Sequence, residues 1–482
     1  MGKPSSIIKL IFSLLFLLLE EVVPISLFSP TDNYLINCGS AAPTTDDPYN
    51  RKFTGDESSE SNSVVFSAAG TFTLGESNPP PDSSPIYRSA RFFARPSKYE
   101  FPIRQKGSHF VRLHFHRFHS SKFHLFDAEF HVLADGYLLL HNFRGLTMKN
   151  SEIREYVLWI DSDKLEISFL PSMKSKFAFV SAIEVISAPK DLILDTAQFV
   201  DSDGVAKFGG LSKNAFETIY RINVGGPKVT PFNDSLWRTW IPDDQFLNSI
   251  ENGSKRVSYS GRIEYQLGGA SREVAPDNVY NSARVISSSN SMIPKTNITL
   301  TFPIVEGYKY LVRTHFCDIK STALNLLYFN VYVNGNLAFE NMDLSTISNG
   351  MLASPFYADF VVDGGSLGFL NVSIGPSSWS NPNAIDAILN GIEVMKLNNS
   401  MGSLDGDVSA ALLLKSRPRG THGVLLPLVA VMCLLLVASV VLSRRRFAVG
   451  DSVAWSPLPP DVSDVNFLKC ENQQFAGKLS YV

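Results

Sequence analysis

VRLHFHRF, residues 111–118, alternates apolar and polar side chains, and a partial copy, VRTHFCDI, begins at Val312. The alternation is that of a β-strand with one buried side: Val111, Leu113 and Phe115 take one face, Arg112, His114 and His116 the other. His114 and His116 then stand about 6.5 to 7 Å apart along the strand, a separation that could serve a metal. The second copy tests that reading. It keeps Arg313 and His315, replaces His116 by Cys317, and brings none of the other histidines that crowd residues 109–141. Arg112 with His114 is therefore expected to do a fold-level job, as a hydrogen-bonded pair inside the sandwich. His116, His119, His124, His131 and His141 are local to the first copy, where a pH-responsive surface stays open as a reading because imidazole titrates near neutrality.

Four further matches run in the same order. YLINCGS (34–40) pairs with YRINVGG (220–226), YRSAR (87–91) with YNSAR (280–284), FHVLADG (130–136) with FNVYVNG (329–335), and SAIEVISAP (181–189) with NGIEVMKL (390–397). Ordered matches of this kind mark a duplicated unit of ordinary domain size. The Asp-Gly and Asn-Gly steps predict type I′ hairpin turns. Short β-rich runs such as EYVLWI and KLEISFL, separated by Gly, Pro, Asn, Asp and Ser, make the whole all-β. The expected organisation is a signal segment over 1–26, domain A over 27–190, a linker over 191–217 with DSDG and GG as flexible points, and domain B over 218–397. A disordered stalk over 398–420, a transmembrane helix over 421–443 and a short cytoplasmic tail over 444–482 complete it.

The membrane reading rests on Gly423 to Ser443, 21 uncharged residues, followed at once by Arg444, Arg445 and Arg446. That length matches a hydrocarbon core, and the arginines place the following tail inside. Lys3 and the apolar run Leu10 to Leu19 have the look of a cleavable secretory signal, which puts the larger part outside the cell. Sequons at Asn233, Asn252, Asn297, Asn371 and Asn398 all precede the span, as N-glycosylation requires. Cys38 and Cys317 are the two cysteines of that exterior part, and they either pair or stay as separate buried thiols.

With 43 basic and 46 acidic residues and a net charge of -3, no basic stripe suits nucleic acid. No nucleophile elbow, zinc motif or P-loop is present, so neither catalytic residues nor a cofactor or metal is expected. The 39 residues after Ser443 are too few for a kinase. The densest set of ligand-contacting residue types is DSLWRTWIPDD: Trp237 and Trp240 with Asp234, Asp243 and Asp244 could stack on and hydrogen-bond a sugar. The competing reading is that both tryptophans cap the second core while Arg238 pairs with an acid.

FSPTDNYLINCGS (28–40), the repeated Y-x-S-A-R, VRLHF with VRTHFCDI, and ETIYRINVGG followed by DSLWRTWIPDD resemble the plant malectin-like receptor kinases of the FERONIA and THESEUS group. The resemblance implies two tandem malectin-like β-sandwich domains on a single-pass plasma-membrane protein. It also implies a receptor role toward cell-wall carbohydrate or a secreted signalling peptide, with a lipid-anchored co-receptor as partner. The family's serine/threonine kinase is expected to be absent, leaving a receptor-like protein that works through partners, a full-length receptor kinase among them. The alternatives are a lectin that binds wall polysaccharide without signalling and a truncated form of a full receptor kinase.

Overall fold

A computed structural model describes residues 28–415, apart from residues 59–63, 67–69, 77, 82, 118–122, 146–150, 174, 176, 249–253, 267, 288–296, 366 and 381–384, together with residues 422–448. The expected signal segment, His119, Asn252 and the tail beyond 448 lie outside the described residues.

The repeated strands build one long sheet rather than two separate ones. In chain order its main strands are β1 (Asn33–Asn37), β2 (Gly107–His116), β3 (Ser151–Ile160), β4 (Ala182–Ser187), β5 (Thr196–Asp201) and β6 (Gly204–Gly209), then β7 (Phe216–Asn223), β8 (Lys309–Cys317), β9 (Pro355–Asp363) and β10 (Gly391–Leu397). In space the order is β6-β5-β9-β8-β10-β7-β3-β2-β4-β1. The seam between the halves is the antiparallel pair β3 and β7, with Tyr156 opposite Glu217 and Val157 opposite Phe216. The described residues up to Leu414 accordingly form one compact unit.

One face of this sheet carries two cores. Val111, Leu113 and Phe115 pack with Phe130, Phe169 and Phe179 against a second sheet in the first half, and Val312 and Phe316 do the same with Phe329 and Phe302 in the second. Phe115 lies 4.7 Å from Phe143, ring centre to ring centre, and its removal would cost about 3–5 kcal/mol. The opposite face of the sheet is not solvated either. Phe110, Val157, Phe216, Leu311 and Met395 from both halves form a further apolar cluster with Leu192, Leu211 and Leu236. Connecting segments therefore cover the polar side of the repeat.

The turn expectations hold: Asp135 and Gly136, like Asn334 and Gly335, have positive φ at the tips of their hairpins. The matched glycines Gly39 and Gly225 explain why CGS and VGG recur. At φ of 76° and 74°, a Cβ on either would come within 2.5 Å or 2.3 Å of the carbonyl oxygen of Ala90 or Ala283, a clash that only glycine avoids.

Two segments depart from expectation. The linker is not a flexible tether, because residues 196–209 form the β5–β6 hairpin and β5 runs parallel to β9, placing Phe199 opposite Val361. DSDG is its turn. The stalk is ordered as far as Leu414: Leu404 is fully buried in the first core, its amide donates to the Leu138 carbonyl at 2.8 Å, and the Leu138 amide donates to Gly402 at 3.0 Å. Val408, Ala410 and Leu413 pack on Leu133, Leu138 and Leu170. Composition hid this strap because over residues 398–407 a single leucine among Gly, Ser and Asp supplies its anchor. Separately, His422–Ala448 is one helix whose Pro427–Arg445 stretch, of mean hydropathy 2.2, is long and apolar enough to cross a membrane.

Candidate functional site

The seam carries a row of alternating charge. Across β9, β8, β10, β7, β3, β2 and β4, in spatial order, stand Asp359, Arg313, Glu393, Arg221, Glu155, Arg112 and Glu184, one per strand on the covered face. Arg313 grips Asp359 with two bonds of 2.8 Å. Arg221 Nε lies 2.7 Å from Glu393, and its other arm reaches across the seam to Glu155 at 2.7 Å. Arg112 holds Glu155 at 2.7 Å and Glu184 at 2.8 Å. Arg51, bound to Asp47, closes the row on Glu184 at 2.8 Å.

Burial by itself would raise the pKa of Glu155, but the Arg221 and Arg112 guanidiniums overcome this and hold it down to about 2. For Glu184 the same opposition to burial comes from Arg112, the His114 hydrogen bond and Arg51; for Glu393 it comes from Arg221 and His315. Both carboxyls stay well below the usual range. A buried ion pair is weak evidence of stability in itself, yet removing one partner strands the other. The row therefore ties the two halves together across the seam through Arg221 and Glu155.

The shared Arg-x-His pair is explained by a second duplicated device. His114 Nε2 meets Glu184 at 2.9 Å and its Nδ1 meets the Tyr87 hydroxyl at 3.0 Å. His315 Nε2 meets Glu393 at 3.3 Å and its Nδ1 meets the Tyr280 hydroxyl at 3.1 Å. A carboxylate only accepts, so Nε2 carries the proton, and a neutral ring takes the tyrosine O–H at Nδ1. Burial, partly opposed by Glu393, lowers the pKa of His315 and keeps it neutral. Ser89 with Asn37 and Arg91 with Asp56 likewise recur as Ser282 with Asn223 and Arg284 with Asp243. Each is a residue of a matched motif or its partner.

Above the row, the two halves border an open cavity of about 540 Å³. Tyr49, Tyr87 and Ile153 line it from the first half, and Thr218, Lys228 and Trp237 from the second, with Arg112, Glu155 and Arg221 at its floor. Trp237 is half-buried, sits under Arg51 at 5.8 Å, and holds a φ of 56°. That backbone region is a costly one for a large side chain, and such strain gathers at functional positions. A larger hollow of about 860 Å³ lies between the β5–β6 hairpin and the second half, with Val205, Phe339 and Phe356 in its walls. It lacks the convergent charged groups of the seam.

The proposed tryptophan cluster divides. Trp240 is fully buried and donates from Nε1 to Asp234 at 3.0 Å, while Arg238 Nε lies 3.0 Å from both Asp234 oxygens. Asp243 is buried against Arg284, and Asp244 meets Arg256 and Arg284. Only Trp237 faces the cavity. Asp234 and Trp240 form the buried scaffold of the 228–242 loop, and Asp243 follows it, held by Arg284. The cysteines are not brought together: Cys38 and Cys317 are both free and buried, in separate clusters. Among the described residues no group of three His, Cys, Asp or Glu could hold a metal. His116 instead stacks on Tyr87 at 4.9 Å and bonds Ser151, and His131 stacks on His141. Asn233 and Asn371 are exposed, Asn297 and Asn398 half-buried. The row itself was missed in the sequence, although Arg112, Arg313, Glu184 and Glu393 all lie in matched motifs.

A family profile for the malectin-like domain matches residues 36–397. A "probable receptor-like protein kinase" of Arabidopsis thaliana is 44% identical over 379 residues, covering 78% of this chain and 45% of the relative. Receptor-like protein kinase THESEUS 1 of the same plant is 39% identical over 392 residues, covering 81% and 45%. The chain thus spans about half the length of the curated relatives it matches. Among solved structures, the ANXUR2 extracellular domain of Arabidopsis thaliana superposes with a TM-score of 0.68 at 28% identity, covering 78% of this chain and 98% of that one. FER, in the crystal structure of the plant peptide RALF23 with FER and LLG2, superposes with 0.65 at 29% identity, covering 79% and 99%.

Proposed function

The chain belongs to the malectin-like family, and from that premise we propose that it is a receptor-like protein of the plasma membrane. In this reading the duplicated body lies outside the cell and binds a secreted signalling peptide at the seam cavity, with a lipid-anchored co-receptor completing the complex. The observation that carries the reading is the cavity itself. It is built by both halves, floored by charges that neutralise one another, and rimmed by Tyr49, Ile153, Lys228 and Trp237. A peptide offers the matching mixture of backbone amides, charged ends and apolar side chains. The likeness to FER, whose crystal structure includes a peptide and a third protein, supports the same choice. A full-length receptor kinase is a further partner in this reading.

A wall polysaccharide is the second reading, since Tyr49 and Trp237 present rings to the cavity. It is the weaker one, because the acids a sugar would need are engaged: Asp47 already binds Arg51 and the amides of Tyr49 and Arg51. Titration of the purified body with secreted peptides and with wall oligosaccharides, with and without co-receptor, separates the two. Saturable peptide binding that Trp237→Ala abolishes or weakens at least tenfold is the expected result.

A further inference from the structure

On the outer sheet of the second half, Phe369–Pro376 alternates exposed and buried residues, so Phe369, Asn371 and Ser373 share one solvent-facing side. Asn371 opens the sequon Asn371-Val372-Ser373, and Phe369 precedes it by two positions on the same face. The neighbouring strand Ile298–Pro303 places Pro303 opposite Phe369, Thr301 opposite Asn371 and Thr299 opposite Ser373. Thr301 Oγ1 donates to Asn371 Oδ1 at 2.7 Å. This fixes the amide plane, and Nδ2, the atom that takes a sugar, has no hydrogen-bond partner among the described residues. Beside it lies an open hollow of about 670 Å³ lined by Tyr220, Phe246, Thr301, Pro303 and Phe369.

We propose that Asn371 carries an N-glycan whose first sugar lies on the Phe369 ring. The proposal rests on the reading that the body is exported. In the transfer, Asn371 Nδ2 bonds to the anomeric carbon of a lipid-pyrophosphate-linked oligosaccharide. The carbon–oxygen bond to the pyrophosphate breaks, the lipid pyrophosphate leaves, and the amide loses one proton. Because side chains two apart on a strand are about 6.5 to 7 Å from each other, a ring one bond beyond Nδ2 spans the gap to Phe369. The C–H face of that sugar covers an aromatic surface which is 51% exposed without it. Leu367, two residues before Phe369, and Val305, two after its cross-strand partner Pro303, are also exposed, at 83% and 59%. Apolar surface of this kind on a solvent face promotes association unless something covers it. Among the other described sequons the arrangement does not recur. At Asn398 both amide atoms are engaged, Oδ1 by the Ala215 amide and Nδ2 by the Asn399 carbonyl.

The test is glycopeptide mapping of the full chain expressed in plant cells, followed by timed amidase release of the glycans from the native protein. The expected result is an occupied Asn371 whose glycan is released about fivefold more slowly than those at the other occupied sequons, a factor set by one stacking contact. Phe369→Ala should abolish that lag. Ser373→Ala, which removes the sequon and leaves Asn371 and Phe369 in place, should lower the melting midpoint in the Phe369 background by more than in the Phe369→Ala background. An empty Asn371 beside occupied sequons, or a lag that survives Phe369→Ala, overturns the proposal while leaving export intact. A chain with no glycan at any sequon overturns export as well.

Discussion

Glu155→Gln is the substitution to which the seam should be most sensitive. The carboxylate of Glu155 is 2.7 Å from Arg112 of the first half, 2.7 Å from Arg221 of the second, and accepts from Thr218 at 2.8 Å. Glutamine keeps one acceptor and turns an N–H donor toward a guanidinium. Holding a carboxyl at about 2 against its ordinary 4.5 corresponds to stabilisation on the order of 3 kcal/mol. That agrees with the roughly 3–5 kcal/mol lost when a buried pair is broken from one side. Because the folded value is depressed, this stability is fully present above pH 4.5 and is lost as the pH falls toward 2. Calorimetry of the body at pH 7 should show the midpoint falling by about 5 °C, with the single transition splitting as the halves uncouple. An unsplit transition within a degree of the parent would refute the argument that the row locks the halves.

Other outcomes follow from the same coordinates. Burial pushes the Cys38 and Cys317 thiols up, so both should react with a maleimide only after unfolding, without prior reduction; a mass lower by two hydrogens would show a bond instead. His315 has a folded pKa below 6.5 through burial, and His116 is shifted the same way. The unfolded chain therefore takes up protons that the folded one refuses, and the melting midpoint should fall as pH drops below 6.5; His315→Gln should flatten that slope. Leu404→Ala should cost about 2–5 kcal/mol and open residues 398–414 to hydrogen exchange, whereas a strap without a structural role would leave exchange unchanged.

Alternation in VRLHF and its partner was enough to assign strand, faces and duplication, because period two and Asp-Gly or Asn-Gly turns are local properties of the chain. That Arg-x-His does a fold-level job was also legible, but not as a bonded pair inside the sandwich: Arg112 and His114 both reach Glu184 on the opposite face of the sheet. The partners were not legible: Tyr87 and Glu184 lie 27 and 70 residues from His114, and pairing over such distances is set by the sheet. The seam was hidden for the same reason, since nothing local in Ser151–Ile160 or Phe216–Asn223 says that these strands pair with each other. DSLWRTWIPDD showed the limit of composition. Aromatic and acidic residues suggested either a sugar site or core packing with Arg238 paired to an acid; the second holds for Trp240, Arg238 and Asp234, while Trp237 faces the cavity, and a scaffold and a pocket need the same residue types. The strap was missed because the apolar content of 398–407 is nearly confined to Leu404.

The seam cavity is the centre of the functional account, and one titration tests it most directly. The purified body is titrated calorimetrically with secreted signalling peptides in the presence of a lipid-anchored co-receptor, in parallel with Trp237→Ala and Lys228→Glu variants that melt like the parent. Saturable binding to the parent, lost or weakened at least tenfold in both variants, is the predicted result. Binding that both variants retain in full, or no binding of any peptide to the parent, would contradict it.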